Sequence, residues 1–96
     1  MPQKSDIYEG PPLNVLIAED NPAVREFIVR AIQSDNFNIT CADDGQEALN
    51  ELEKKKYDIL ITDIVMPHVD GITLALKATT QYEHLKIIMI SGYVQE

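Results

Sequence analysis

The sequence predicts a single α/β domain, built on a parallel sheet with helices on both faces. Short apolar runs of strand length alternate with segments in which apolar residues recur at helical spacing. Because single helices separate successive strands, neighbouring strands are expected to run parallel. A length of 96 residues leaves room for one small domain.

The first predicted strand and helix follow an N-terminal stretch without apolar periodicity. Leu13–Ala18 is a strand of buried type, and Asn21-Pro22 then provides an N-cap and a proline at the first helical position. The helix is expected to end near Ser34. Its predicted apolar face consists of Val24, Phe27, Ile28, Ala31 and Ile32. Residues 1–12 are expected to form a flexible leader, which leaves residues 13–96 for the domain.

A weaker strand and a second helix come next. Asn38–Ala42 is the strand, centred on Ile39. Asp44-Gly45 starts the helix, and Lys54–Lys56 lie at its end, where cations favour a helix C-terminus. Its predicted apolar face holds Ala48, Leu49 and Leu52.

The same alternation continues to the fourth strand. Ile59–Ile61 is a buried strand, Asp63–Gly71 is a loop, and Ile87–Ile90 is the last strand. The helix between the loop and the last strand has a predicted apolar stripe of Ile72, Ala75, Leu76 and Thr79.

Composition excludes several classes of function. With 8 Lys+Arg against 16 Asp+Glu, the formal net charge is −8, and Lys54–Lys56 is the densest basic stretch. A phosphate-backbone partner needs a basic patch, so we expect no direct contact with nucleic acid. No apolar run approaches the roughly 20 residues of a membrane span, and no secretory signal is recognisable, which predicts a cytoplasmic protein. The single cysteine, Cys41, excludes an intramolecular disulfide and a thiolate metal cluster.

Polar side chains follow three of the predicted strands at the point where each strand ends. Glu19 and Asp20 come after the first strand, Asp63 after the third and Ser91 after the fourth. A single acidic residue in such a place is usually a helix N-cap or a solvated loop residue, but Asn21 already fills the capping role next to Asp20. Ligands bind at the carboxyl edge of open parallel sheets, and three carboxylates converging there favour Mg²⁺. Once the cation neutralises the charge of the neighbouring carboxylates, one carboxylate is able to attack a phosphoryl group. The Ser91 hydroxyl would then donate a hydrogen bond to a phosphoryl oxygen.

Residues 13–93 resemble the receiver domain of bacterial two-component response regulators. The resemblance depends on Glu19-Asp20, on the segment Asp63–Pro67, on Asp70-Gly71 and on Ser91. It implies a flavodoxin-like, doubly wound parallel sheet with strand order 2-1-3-4. A narrower likeness, in residues 62–66 and 71–79, is to stand-alone receivers that act as adaptors of an ATP-dependent protease.

The resemblance also implies roles for individual residues. Asp63 would accept a phosphoryl group from a histidine kinase or phosphotransfer protein, and a downstream effector protein would receive the signal. Mg²⁺ would be held by Glu19, Asp20, Asp63 and the backbone carbonyl of Val65, and Ser91 would be the switch hydroxyl. Val65 and Tyr93 would gate access of water to the phosphorylated site. The protein would catalyse only its own phosphorylation and dephosphorylation.

One departure from the family leaves two alternatives open. Receivers have a fifth strand and helix, with a lysine at the end of that strand; this sequence reaches Glu96 before them, and Lys86 lies ahead of the fourth strand. We therefore expect a sheet truncated after the fourth strand, whose exposed edge promotes dimerisation. A receiver-like interaction module that is not phosphorylated is the first alternative. The second is a phosphohydrolase that uses Asp63 as nucleophile; that class needs a general acid two residues after the nucleophile, and the apolar Val65 occupies this position.

Overall fold

The computed structural model describes residues 10–90, in which strands and helices alternate. The strands are β1 (Leu13–Ala18), β2 (Phe37–Ala42), β3 (Ile59–Asp63) and β4 (Lys86–Ile90). The helices are α1 (Pro22–Ile32), α2 (Gly45–Lys54) and α3 (Gly71–Gln81). All of these elements were predicted from the sequence, with boundaries that differ by at most two residues.

The four strands form one parallel sheet in the order β2-β1-β3-β4. Val15 pairs with Ile39 on one side and with Ile59 on the other. Ile61 pairs in turn with Ile88, so that β4 forms one edge of the sheet in the described part of the chain. This order confirms the predicted doubly wound arrangement, with β1 and β3 in the middle.

Both faces of the sheet are covered by helices. On one face, α2 and α3 pack over a core that includes the fully buried Leu16 and Leu60. On the other face, Ile28 and Val29 of α1 pack against Val15, Ile17 and Ile61. Fully burying a side chain of this size contributes about 2 kcal/mol. The buried central strands β1 and β3 therefore hold in place the carboxyl ends that carry the polar site.

Side-chain caps start the three helices at the carboxyl edge of the sheet. The Asn21 side chain accepts hydrogen bonds from the amides of Ala23 and Val24, at 2.9 and 3.2 Å. Asp44 and Asp70 cap α2 and α3 in the same way, each through one backbone amide at 2.8 Å. The predicted cap at Asn21 is confirmed, which leaves Asp20 free of a capping role.

Two predicted helix faces were partly wrong. In α3, the side chains that enter the core are Leu74 and Ala78, whereas Ile72 and Leu76 are 53% and 65% exposed. In α1, Phe27 is exposed although its spacing placed it on the buried stripe. Both helices are apolar around much of their circumference, so periodicity alone allows more than one stripe, and packing on the sheet decides between them.

Two expectations from the sequence concern a membrane span and the N-terminal leader. None of the helices between residues 10 and 90 combines the length and the apolarity that a membrane crossing requires. Residues 1–9 lie outside the described part, so the flexible leader at residues 1–12 stays a prediction.

Candidate functional site

The structure brings Glu19, Asp20 and Asp63 together at the carboxyl edge of the sheet. Their ligand oxygens all lie within 4.8 Å of one another. Glu19 directly follows β1 and Asp63 is the last residue of β3, so the pairing of these two central strands sets the distance. Glu19 is buried, Asp63 is half-buried and Asp20 is exposed, which makes a site that opens toward solvent on one side.

Glu19 is the most constrained of the three carboxylates. Its Oε2 accepts a hydrogen bond from the Asn21 amide at 3.1 Å. Its Oε1 is buried and has no hydrogen-bond partner among the described residues. Burial is the main cause that raises the pKa of Glu19 from 4.5 to about 7. The negative charges of Asp63 and Asp20 also raise this pKa, whereas the hydrogen bond from the Asn21 amide lowers it. A buried carboxylate oxygen without a partner is costly unless a cation or a proton compensates it.

The Asp63 side chain is held at the end of β3 by its own backbone neighbours. Oδ1 accepts a hydrogen bond from the Ile64 amide at 2.8 Å, and that amide also donates to the Ile90 carbonyl at 3.2 Å. The Thr62 hydroxyl donates to the Asp63 carbonyl at 3.0 Å. The Ile64 amide thus orients the Asp63 carboxylate, and the Thr62 bond holds the backbone from which that side chain departs.

Gly71 closes the loop that follows Asp63. Its amide donates to the Ile64 carbonyl at 2.8 Å. A Cβ atom at this position would overlap the Asp63 carbonyl oxygen, so only glycine allows the start of α3 to approach so closely. The loop is thus pinned at both ends around the carboxylate.

The remaining predicted site residues have different outcomes. Val65 lies in the loop between β3 and α3 with its side chain 72% exposed, and its roles as a carbonyl ligand and as a gate stay predictions. Met66, the next residue, fills space in the core. Ser91 and Tyr93 lie outside the described residues, so the switch hydroxyl and the second gating residue also stay predictions.

Sequence analysis missed Arg25, which contacts the site through the backbone. Its Nη1 donates to the Glu19 carbonyl at 2.8 Å and lies 2.9 Å from Asp43 Oδ1. Arg25 is the fourth residue of α1, near the positive end of the helix dipole, where a cation is unfavourable. That unfavourable placement was the available signal that this arginine has a contact outside its own helix.

The donor set fits a hard divalent cation. It contains only carboxylate oxygens, which Mg²⁺ prefers, and it is open enough for the cation to keep several waters. Oε1 of Glu19 is the buried oxygen that such a cation would compensate.

Comparison with known proteins identifies the domain type. The family described as "Response regulator receiver domain" matches residues 15–96. The response regulator receiver protein CpdR of Brucella abortus is 40% identical over 79 residues, which is 82% of this chain and 66% of the relative. The chain thus spans just under two thirds of the length of that relative.

Solved structures agree with this assignment. The response regulator TrrA of Thermotoga maritima, in complex with Mg²⁺ and BeF, matches with a TM-score of 0.78 and 31% identity, over 84% of this chain and 70% of that chain. A structure of TrrA in complex with the histidine kinase ThkA matches with a TM-score of 0.76 and 30% identity, over 86% of this chain and 72% of that chain. The predicted flavodoxin-like receiver fold is confirmed by these matches.

Proposed function

This chain belongs to the family of response regulator receiver domains, and we propose that it accepts a phosphoryl group on Asp63 as one step of a phosphorelay. The observation that carries the proposal is the cluster of Glu19, Asp20 and Asp63, with ligand oxygens within 4.8 Å of one another. The buried, unpartnered Oε1 of Glu19 supports a cation in that cluster. TrrA, a similar receiver, is in complex with Mg²⁺ and BeF.

In the proposed reaction, an oxygen of the Asp63 carboxylate attacks the phosphorus of a phosphohistidine. The bond from phosphorus to the imidazole nitrogen breaks, its electron pair stays on that nitrogen, and Asp63 becomes an acyl phosphate. Mg²⁺ supplies charge neutralisation at the carboxylates and at the phosphoryl oxygens. Glu19, Asp20 and the Val65 carbonyl would hold the cation together with Asp63, while the Ile64 amide, at 2.8 Å from Oδ1, keeps the Asp63 carboxylate oriented.

After transfer, the Ser91 hydroxyl donates to a phosphoryl oxygen and begins the conformational signal. Val65 and Tyr93 restrict the approach of water and so determine how long the acyl phosphate survives. The protein turns over no small substrate in this proposal.

The proposed partners are a histidine kinase or phosphotransfer protein and a downstream effector protein. The kinase is supported by the matched complex of TrrA with ThkA. The likeness to the response regulator receiver protein CpdR supports the receiver assignment. The effector protein and the protease-adaptor role, which the sequence resemblance implies, belong to this proposal. Because the phosphoryl group would come from a histidine kinase or phosphotransfer protein, we propose a cytoplasmic location for this chain.

A second copy of this chain is a further proposed partner, at β4, which lies at an edge of the sheet formed by residues 10–90. Ile88 and Met89 are 49% and 39% exposed, and as neighbours on a strand they face opposite sides of the sheet. An edge strand that is apolar on both faces favours pairing with another chain.

Incubation with acetyl phosphate and Mg²⁺, followed by intact-mass measurement, tests the proposal. Wild-type protein should gain the mass of one phosphoryl group, and Asp63→Asn should gain none. The matched control is Asp35→Asn, because Asp35 is exposed and lies at the opposite end of the sheet. The neighbouring residue, Asn36, accepts a hydrogen bond through its carbonyl from the amide of Leu13, the first residue of β1. This control should be phosphorylated like wild type.

If wild-type protein gains no phosphoryl group in the presence of Mg²⁺ and acetyl phosphate is not consumed, the phosphoacceptor function is wrong and the unphosphorylated interaction module replaces it. If no adduct accumulates because acetyl phosphate is hydrolysed over many rapid turnovers, the phosphohydrolase alternative is correct.

A further inference from the structure

Arg25 connects the carboxylate cluster to α1 and to the loop after β2. Its Nη1 lies 2.8 Å from the Glu19 carbonyl and 2.9 Å from Asp43 Oδ1. The Arg25 side chain is only 22% exposed, whereas the Asp43 side chain is 69% exposed. The guanidinium is therefore held on the inner side of the loop, in a charge-assisted hydrogen bond to the backbone.

The Arg25 contact completes the fixation of the Glu19 backbone. The Glu19 amide donates to the carbonyl of Ala42, the last residue of β2, at 3.1 Å. The Glu19 carbonyl is occupied by Arg25. With one bond to β2 and one to α1, the peptide that leads into Asp20 has a defined direction, and both acidic side chains depart from it.

The positive charge of Arg25 is not used to neutralise the cluster directly. Within the described part of the chain, its ion pair is with Asp43, and it forms none with the carboxylates of Glu19, Asp20 or Asp63. The oxygens of those carboxylates therefore remain available to a cation.

We propose that Arg25 is a positioning residue for the cation site, which fixes the Glu19–Asp20 backbone so that both carboxylates meet Asp63, with Asp43 holding its guanidinium in place. This inference rests on the Mg²⁺ site of the proposed function. The proposal predicts a change in Mg²⁺ affinity opposite in sign to the change that a simple charge effect would cause. Removing a positive charge beside a cation site would by itself strengthen Mg²⁺ binding, whereas loss of positioning weakens it.

The test measures Mg²⁺ affinity and stability separately on the full chain. The dissociation constant is obtained by titrating Mg²⁺ and following the NMR amide shifts of Asp20 and Ile64, and the unfolding midpoint is measured in EDTA. Arg25→Met should raise the dissociation constant about tenfold. Arg25→Lys, which keeps the charge and a donor, should raise it less. Arg30→Met is the matched control, because Arg30 is also in α1 but is 76% exposed and pairs with Glu26 at 3.0 Å. The dissociation constant of this variant should equal that of wild type.

Asp43→Asn tests whether Asp43 holds the Arg25 guanidinium in place. This variant also keeps the proposal testable if Arg25→Met fails to fold. It should weaken Mg²⁺ binding about threefold in the wild-type background, as expected for a partner one step further from the cation. A direct charge effect of Asp43 would persist when Arg25 is already methionine or lysine. An effect transmitted through the side chain at position 25 should disappear in the methionine background and shrink in the lysine background.

Three outcomes separate the possibilities. Weaker Mg²⁺ binding in Arg25→Met but not in Arg30→Met supports the positioning role. Equal or tighter binding in Arg25→Met, with a lower unfolding midpoint, assigns Arg25 to stability alone and overturns the inference while the Mg²⁺ site stands. No Mg²⁺-dependent amide shift in wild type overturns the site itself.

Discussion

Replacing Glu19 by glutamine should make the metal-free protein more stable above neutral pH. Glu19 is 1% exposed and its Oε1 has no hydrogen-bond partner among the described residues, so ionising this carboxylate in the folded state is unfavourable. Burial is the main cause that raises its pKa from 4.5 to about 7. Glutamine has nearly the same shape, retains an oxygen that accepts from the Asn21 amide, and carries no charge.

The magnitude follows from proton linkage. Because the folded state holds the Glu19 proton more tightly than the unfolded chain, the stabilising contribution of this group is fully present below about pH 4.5 and is lost as the pH rises through 7. At about 1.4 kcal/mol per pH unit between the two pKa values, the full loss is about 3 kcal/mol. Roughly 2 kcal/mol of this loss falls between pH 5.5 and pH 8.

Urea denaturation in EDTA at several pH values measures the effect. The free energy of unfolding of wild type should fall by about 2 kcal/mol more than that of Glu19→Gln between pH 5.5 and 8. Added Mg²⁺, at tenfold its dissociation constant, should restore about 1.4 kcal/mol to wild type at pH 8. Glu19→Gln should gain less, because it lacks one charged ligand.

The control is Glu53→Gln, which removes an exposed carboxylate on α2. Its unfolding free energy should follow the wild-type pH profile. If Glu19→Gln follows the wild-type profile as well, the buried carboxylate does not titrate in this range, and the argument from its missing partner is wrong.

Three further changes should have measurable effects. Gly71→Ala places a methyl group against the Asp63 carbonyl and should lower the free energy of unfolding by about 2 kcal/mol in urea. In phosphorylated protein, Val65→Asn with Tyr93→Glu should speed hydrolysis of the acyl phosphate about tenfold, followed by intact mass in excess Mg²⁺. Wild type should sediment as dimers or larger species at high micromolar concentration, and Ile88→Lys should shift it toward monomer.

Each of these three effects has a contrary result. An unchanged urea midpoint in Gly71→Ala would mean that α3 shifts away without cost. Equal decay of wild type and the double variant would remove Val65 and Tyr93 from the control of water. A compact wild-type monomer at high micromolar concentration would show that β4 does not template pairing.

The sheet could be predicted almost completely from the sequence, whereas the helix faces could not. Each strand is a short apolar run between polar turns, and single connecting helices leave little choice of strand direction. In α3, however, Ile72 and Leu76 compete with Leu74 and Ala78, and both pairs have helical spacing. Only the position of the neighbouring α2 and the sheet beneath decides which pair is buried.

The carboxylate cluster was predictable for a similar reason, but its environment was not. Parallel strands bring their carboxyl ends to one edge, so Asp63 was expected near Glu19 and Asp20. The burial of Glu19 and its bond from the Asn21 amide depend on the conformation of the turn between β1 and α1, which no periodic pattern reports. The bond from Arg25 to a backbone carbonyl is equally invisible, because backbone acceptors are the same at every residue.

Parallel pairing throughout the sheet also determines when the site can exist during folding. No two strands of such a sheet form a local hairpin, and β1 meets β3 only across a connection that contains α1, β2 and α2. The entropy of closing that long connection must be paid before Asp63 approaches Glu19 and Asp20. We therefore expect the carboxylates to meet only after β1 and β3 have paired, so that a cation bound between them would stabilise the finished fold without guiding the chain toward it.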